Sequence, residues 1–359
     1  MRIVDVYSFF RTMNLREPYS IAYDSVDRCE SVFINISTEA GIQGWGCAAP
    51  DPKVTGEAAG NTLKIFDKEV RPYLIGKDVY AYARILDWLK STQPKQPALR
   101  AMVDMALHDI IAQKAGVPLY KLLGGFRDSI PTSITIGIMP VKSTLVFAED
   151  YIKKGFKILK IKGGNDVLED VERLVRVREV VGRYVKIRFD ANQGYSLKDS
   201  LSFLKGVENI DIELFEQPTK KNDFEMLKII TQKSDLPVMA DESLISLRDA
   251  FYLSRDQCTD LINIKLLKTG GILDAMHVNS VARAARIGAM VGCMDESALG
   301  IAAGLHFALS RPNIQYADLD GHLDIKDDPF EGMLKINDGE LLPPETNGLG
   351  WIGLKKINI

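Results

Sequence analysis

The sequence predicts an α/β protein, a TIM-type (β/α)8 barrel preceded by an N-terminal α+β unit. Three observations carry that prediction. Eight short β-branched runs alternate with amphipathic helical stretches after residue 130. The six runs between Lys157 and Met294 each lie roughly 20 to 30 residues from the next, the spacing of successive βα units. The first 125 residues read instead as strands followed by helices.

Residues 1 to about 48 form a predicted β-meander, because "IVDVYSFF" and "ESVFINISTEAGIQGWGCA" alternate apolar and polar residues around a Gly-containing turn. From there to about 125 the period becomes helical. Val103, Ala106, Leu107 and Ile110 make one apolar face, and Gly124-Gly125 ends the short segment that follows. The barrel runs are "TSITIGI", "KILKIK", "VKIRFD", "IELFEQP", "PVMADES", "LINIKLL", "GAMVGCM" and "NIQYADLD". Eight units over about 190 residues make a barrel slightly shorter than the typical ~250 residues. A doubly wound open sheet competes with this reading but needs a Gly-rich phosphate loop after its first strand. "GIQGWG" has the wrong glycine spacing and sits in the meander. The expected boundaries are 1–125, 126–320 and an irregular, Gly/Pro-rich tail over 321–359.

The chain has 359 residues, 46% of them hydrophobic, enough for a large domain plus a smaller one. A formal net charge of -3 gives no electrostatic case for nucleic acid or an anionic membrane, so the expected partner is a small soluble substrate. The start "MRIVDVYSFF" is interrupted by Asp5 and followed by Arg11, unlike a signal peptide, and no run approaches transmembrane length. Cys29, Cys47, Cys258 and Cys293 are scattered without metal-type spacing, which suits a reducing cytoplasm. The four histidines form no HxxxH pair, which argues against zinc.

Barrel enzymes draw catalytic groups from the C-terminal ends of strands. Here the second run ends in Lys160 and Lys162, the third in Asp190, the fourth in Glu216 and the fifth in Asp241. The sixth ends in Lys265, the seventh in Asp295 and Glu296, and the eighth in Asp318 and Asp320. Neighbouring strands lie about 4.8 Å apart, so Asp190, Glu216 and Asp241 at matching heights converge and would repel. A hard divalent cation, magnesium in particular, resolves that repulsion and keeps positions for substrate oxygens. Any one of these acids could instead cap a helix.

The segment "ILKIKGG" puts Lys160 and Lys162 on one strand face. Burying an ammonium costs on the order of several kcal/mol unless it is paired or deprotonated. An adjacent metal and Lys160 together would favour a neutral Lys162, a base whose neighbour tunes it. Lys160 is also placed to hold a substrate carboxylate oxygen. An isolated KxK more often snorkels to solvent.

Taken as a set, the strand-end KxK, the Asp, Glu and Asp of the next three strands, and "NIKLLKTGG" resemble the enolase superfamily, muconate lactonizing enzyme subgroup. "MALHDIIAQKAGVPLYKLLGG" and "DANQGYS" look similar too, so the resemblance spans nearly the whole chain. It implies a capping domain made of the N-terminal unit plus the returning C-terminal segment. "DLD" resembles the DxD of dipeptide epimerases, which implies that Asp318 and Asp320 bind a substrate α-ammonium group. The EF-hand alternative for "DLDGHLD" fails because Gly321 stands too early and no Glu closes the loop.

The resemblance implies a magnesium-dependent dipeptide epimerase. Such an enzyme performs a 1,1-proton transfer through an enediolate at the second residue, with Lys162 and Lys265 as the two bases. Lys268 is the lesser candidate, since Lys265 shares the face of the "NIK" terminus. In Ala-Glu epimerases a cap-loop arginine pairs with the substrate glutamate, and the matching position in "SIAYDSVDR" is Asp24. Asp295 of "CMDES" stands where an apolar residue would suit a small first side chain, beside Glu296. Both changes favour basic dipeptides, with Asp295 near the first side chain and Asp24 near the second. Two rivals stay open: N-acylamino acid racemase, o-succinylbenzoate synthase or muconate cycloisomerase chemistry on the same scaffold, and a catalytically dead binding barrel. Homo-oligomerisation is compatible with any of them.

Overall fold

The structure, a computed structural model, describes residues 1–350. The last nine residues of the predicted C-terminal segment lie outside it. The N-terminal unit is a three-stranded antiparallel sheet of β1 (Ile3–Ile21), β2 (Asp24–Thr38) and β3 (Gln43–Ala48), followed by helices. The β1–β2 hairpin is long, so its tip around residues 19–28 projects beyond the sheet and over the barrel mouth.

The helix Pro97–Ala115 packs against β3. Pro97 opens it, Gly116 at φ 73° closes it, and the N–H groups of Ala98 and Leu99 donate to the buried Glu57 carboxylate at 2.9 and 3.1 Å. The single apolar face expected from sequence underestimates its burial, because every residue from Ala98 to Ile110 is buried. Its polar residues are internal ties. Asp109 accepts from Trp45 N and Leu349 N, while Asp104 accepts from Leu273 N and pairs with His108.

The glycines of "GIQGWG" have a packing role. A Cβ on Gly44 would stand 2.3 Å from the Ala106 carbonyl oxygen, and one on Gly46 would stand 1.9 Å from that of Met102. The strand can lie on the helix backbone only without side chains there.

After β4 (Ile130–Pro131) come eight parallel strands: β5 (Ile134–Ile136), β6 (Ile158–Lys162), β7 (Lys186–Asp190), β8 (Ile212–Glu216), β9 (Val238–Ala240), β10 (Leu261–Ile264), β11 (Gly288–Gly292) and β12 (Ile314–Asp318). They neighbour one another in chain order, and a parallel bridge between Thr132 and Ala317 joins the two ends into a barrel. All eight predicted runs contain one of these strands. Leu159 and Ile161 of β6 are fully buried opposite Lys160, as expected of a parallel sheet covered on both faces.

The helices that follow β6, β7, β8 and β9 start at Asp166, Ser196, Asp223 and Ser246, whose side chains accept from first-turn N–H groups. Helix capping is therefore assigned to other residues, and Asp190, Glu216 and Asp241 are free of it.

The tail is more ordered than its composition suggested. Ile325 bridges to Leu15, and Phe330 stacks on Phe33 and meets Trp45 edge-on, which lays this stretch on the N-terminal sheet. β13 (Lys335–Asn337) and β14 (Glu340–Leu342) then form a hairpin that pairs with β4. All four cysteines are free, and no helix among the described residues is long and apolar enough to cross a membrane.

Gly46→Ala should lower the unfolding free energy by about 3 kcal/mol, at the upper end of overpacking costs, because the clash is with backbone. Gly60→Ala, with nothing within 4 Å of its Cβ on the helix Ala59–Ile65, should be neutral or slightly stabilising. Urea denaturation midpoints measure both.

Candidate active site at the barrel mouth

Strand register sets the heights of the first charged residues. Lys162 pairs with Asp190 and Asp190 with Glu216 across adjacent strands. Asp241 follows β9 directly, and its N–H donates to Gln217 Oε1 at 2.8 Å. One oxygen from each of Asp190, Glu216 and Asp241 lies within 4.8 Å of the others, and all three residues are buried.

Lys160 is 1% exposed and sits at the centre of this charge. Its Nζ lies 2.8 Å from Asp318, 2.8 Å from Glu216 and 3.1 Å from Asp190. Sequence reasoning had Lys160 acting on Lys162, but its contacts are carboxylates. Burial opposes its charge, yet Asp318, Glu216 and Asp190 outweigh burial and hold its pKa well above the ordinary lysine value. Lys162 donates to Asp190 Oδ2 at 2.7 Å, and Lys265 donates to Asp241 Oδ2 at 2.9 Å, from opposite ends of the β7–β9 arc. Lys268 is engaged with the carbonyl and carboxylate of Asp241. Burial lowers its pKa, with Asp241 opposing and Lys265 reinforcing.

The carboxylates are unequal. Burial pushes Asp241 and Asp190 up, but the adjacent lysines overcome it and both end below the usual range. Glu216 is pushed up to about 7 by burial and by Asp190, and its Oε2 accepts no hydrogen bond although Lys160 is nearby. Three buried carboxylates that can each turn an oxygen to one point, one of them held by Lys160 through an ion pair without hydrogen-bond geometry, fit a hard divalent cation. Residues that sequence reasoning missed brace them. Asn263 donates to Glu216 Oε1, and Asn192 N donates to Asp190 Oδ1. Gln217 ties Asp241 N and Ser243 N together. Asn192, two residues after Asp190, and Gln217, directly after Glu216, take left-handed φ values of 43° and 33°, a local strain that the alternation in "RFDANQ" and "FEQP" does not signal.

Above these groups is a cavity of about 630 Å³. Lys160, Lys162, Asp241, Lys265, Asp295, Asp318, Asp320 and Asp24 all line it; Asp190 and Glu216 reach it through Lys160. Asp318 accepts from Ser133 Oγ and Lys160, and these partners outweigh its burial, bringing it to about 2. Asp320 accepts from Thr135 N, while burial and Asp318 push it up to about 7. Asp24 pairs with Lys53 at 2.6 Å, and that contact lowers its pKa.

Glu296 is a correction. Its carboxylate folds back on its own turn, accepting from Met294 N and lying where a Gly300 Cβ would be, so it does not line the cavity. Two tyrosines of the hairpin went unpredicted: Tyr19 donates to Asp295 Oδ2 at 2.7 Å and Tyr23 to Glu242 Oε1 at 3.4 Å. Their signal was available, as both lie within the five residues before Asp24 in a hairpin that must cover charge.

Comparisons with known proteins agree with this geometry. The L-Ala-D/L-Glu epimerase of Bacillus subtilis is 38% identical over 98% of this chain and 97% of its own length. The L-Lys-D/L-Arg epimerase of Methylococcus capsulatus is 38% identical over 98% of this chain and 99% of its own. The solved dipeptide epimerase of Methylococcus capsulatus, complexed with Mg and the dipeptide L-Arg-D-Lys, superimposes with a TM-score of 0.93 at 38% identity over 98% of this chain and 99% of that one. Residues 3–124 match the mandelate racemase/muconate lactonizing enzyme N-terminal domain and residues 144–352 the enolase C-terminal domain-like family, so the chain belongs to the mandelate racemase/muconate lactonizing enzyme family of enolase-like proteins.

Proposed function

We propose that the protein is a magnesium-dependent dipeptide epimerase that inverts the α-carbon of the second residue and prefers basic dipeptides. The observation that carries this is the placement of two lysines, Lys162 and Lys265, at opposite ends of the carboxylate arc and facing one cavity. Residues 126–320 carry the chemistry, and residues 1–125 with the segment from 321 cap it. The free cysteines support the cytoplasm as the place of action.

Asp190, Glu216 and Asp241 would hold the magnesium. When bound it supplies positive charge that offsets the second negative charge on the substrate carboxylate after the α-proton leaves. The rest belongs to the chain. One lysine, neutral, takes the α-proton on its face; the other, as ammonium, returns a proton to the opposite face of the enediolate, which inverts the centre. Lys160, kept charged by its acids, holds a carboxylate oxygen of the substrate. Asp318 and Asp320 receive the α-ammonium. The N-acyl and cycloisomerase rivals offer no such cation to the Asp318 and Asp320 pair.

Charge supports the basic preference. Ten acidic and five basic residues line the cavity, and at least two of the basic ones, Lys160 and Lys268, are bound to acids. The Asp24–Lys53 pair is exposed, with side chains 30% and 52% accessible. Such pairs are worth at most about 1 kcal/mol, so a cationic second side chain can displace Lys53. Relatives of both specificities are equally similar in sequence, and the acid surplus separates them here.

In heavy water with magnesium, exchange should occur at the second residue's α-carbon across a dipeptide library, fastest for Lys- and Arg-containing peptides by mass spectrometry. Ala-Glu outperforming every basic dipeptide would sink the basic preference, and no exchange at all would sink the epimerase. Lys162→Ala and Lys265→Ala should each lose epimerisation by more than about a thousandfold. Each should keep solvent exchange from one epimer only, the two variants keeping opposite ones.

Asp320 gives a pH test. Its pKa in the folded chain, about 7, lies above the ordinary value of 3.8, so the folded state binds the extra proton between those values. The ligand-free protein therefore loses stability as pH rises from about 4 to about 7. Asp320→Asn should raise the ligand-free Tm more at pH 8 than at pH 4, while sharply raising KM for dipeptides.

A further inference from the structure

We propose that Asp324 determines specificity for the first residue, receiving its cationic side chain together with Asp295; this rests on the epimerase reading above. The position follows from backbone geometry. After Asp320 the chain turns, with Leu323 N donating to Asp320 O at 2.8 Å, and then docks on β1. Arg16 N donates to Asp324 O at 2.6 Å and Lys326 N to Asn14 O at 2.8 Å, with Ile325 bridged to Leu15 between them. Ile325 is 1% exposed and points into the core, so the extended alternation turns Asp324 the other way. It lines the cavity wall shared with Tyr19, Tyr151, Asp295, Asp320 and Gly321.

Three features make its carboxylate a receptor for a cation. First, it makes no side-chain hydrogen bond or ion pair among the described residues, because the two cations whose charge reaches it are engaged elsewhere. Arg16 pairs with Glu331 at 2.8 Å and Lys154 with Asp150 at 2.7 Å. Secondly, its charge is felt at Asp295, which the Tyr19 hydroxyl fixes through Oδ2 while Oδ1 carries no hydrogen bond among the described residues. Thirdly, burial and Glu17 raise its pKa, so the site is short of positive charge. With the α-ammonium on Asp318 and Asp320, a first side chain extending along this wall passes between Asp295 and Asp324. A flexible lysine or arginine stem can reach both, and its head group relieves both acids.

The test compares Lys-Arg with Ala-Arg, which differ only in the first side chain, using the full-length enzyme with magnesium. Asp324→Asn keeps the shape and removes the charge. It should lower kcat/KM for Lys-Arg by about ten- to a hundredfold, mostly through KM, and leave Ala-Arg within about twofold. Asp324→Glu should retain at least part of the Lys-Arg activity. Equal losses on both peptides, or no loss on either, would overturn the assignment while the epimerase reading stands. A wild-type enzyme inert toward both peptides, and toward every other dipeptide, would overturn both together.

Discussion

Everything at the barrel mouth depends on the neutralisation of buried carboxylates. Asp190, Glu216, Asp241 and Asp318 are all buried, and one lysine, Lys160, touches three of them. A lone ammonium at 1% exposure would be costly, and so would the acids without it. Each is acceptable because the others are there. The constraint explains why Lys268, with no evident role in proton transfer, is also buried: it binds the carbonyl and carboxylate of Asp241 and leaves the other carboxylate oxygen to Lys265. It also explains Glu216, whose raised pKa marks the place where the lysines do not complete the balance.

That charge must be shielded from bulk water without being sealed off, and the N-terminal unit does this from a fixed base. Glycines in β3 let the sheet sit directly on the helix Pro97–Ala115, and Asp104 of that helix reaches Leu273 at the start of a barrel helix. The tail adds a second tie. Asp328 accepts from Ser297 and Ala298 at the start of the helix Ala298–Ser310, while neighbouring Phe330 packs into the N-terminal sheet. With the base anchored, the hairpin tip touches the barrel through polar contacts, Tyr19 to Asp295 and Tyr23 to Glu242, which can be exchanged for substrate contacts more readily than apolar packing can.

The parts legible in the sequence were those governed by short periods. The βα repeat placed all eight barrel strands, and strand-end position was enough to collect Lys160, Lys162, Asp190, Glu216, Asp241, Lys265, Asp318 and Asp320 around one centre, because parallel strands bring their ends to the same level. Side-chain direction past a strand end has no period. Asp295 and Glu296 are adjacent and chemically alike, yet a tight turn aims one at the cavity and folds the other onto Met294 N. The work of Lys160 was hidden for a related reason: its neighbours in sequence suggested an effect on Lys162, whereas its neighbours in space come from three other strands. The hairpin β13–β14 was hidden by composition, since Gly and Pro mark turns without saying what lies between them.

A surplus of acids in a half-enclosed cavity has a thermodynamic consequence for recognition. In the ligand-free protein burial pushes Asp295 up to about 6 and Asp320, with Asp318 adding to burial, up to about 7, so both hold a proton more readily than an ordinary carboxylate. Binding a cation restores their charge, and some of its binding energy is spent on releasing that proton. A substrate that brings several positive groups shares this cost across favourable contacts, whereas one that brings a carboxylate side chain adds to the repulsion. On the proposed function, discrimination would come from the whole electrostatic environment, with individual acids such as Asp24 adjusting it. The wall acids that set the sign of the cavity are separate from the buried lysine–carboxylate cluster on which the barrel mouth depends, so the wall can change without disturbing that cluster.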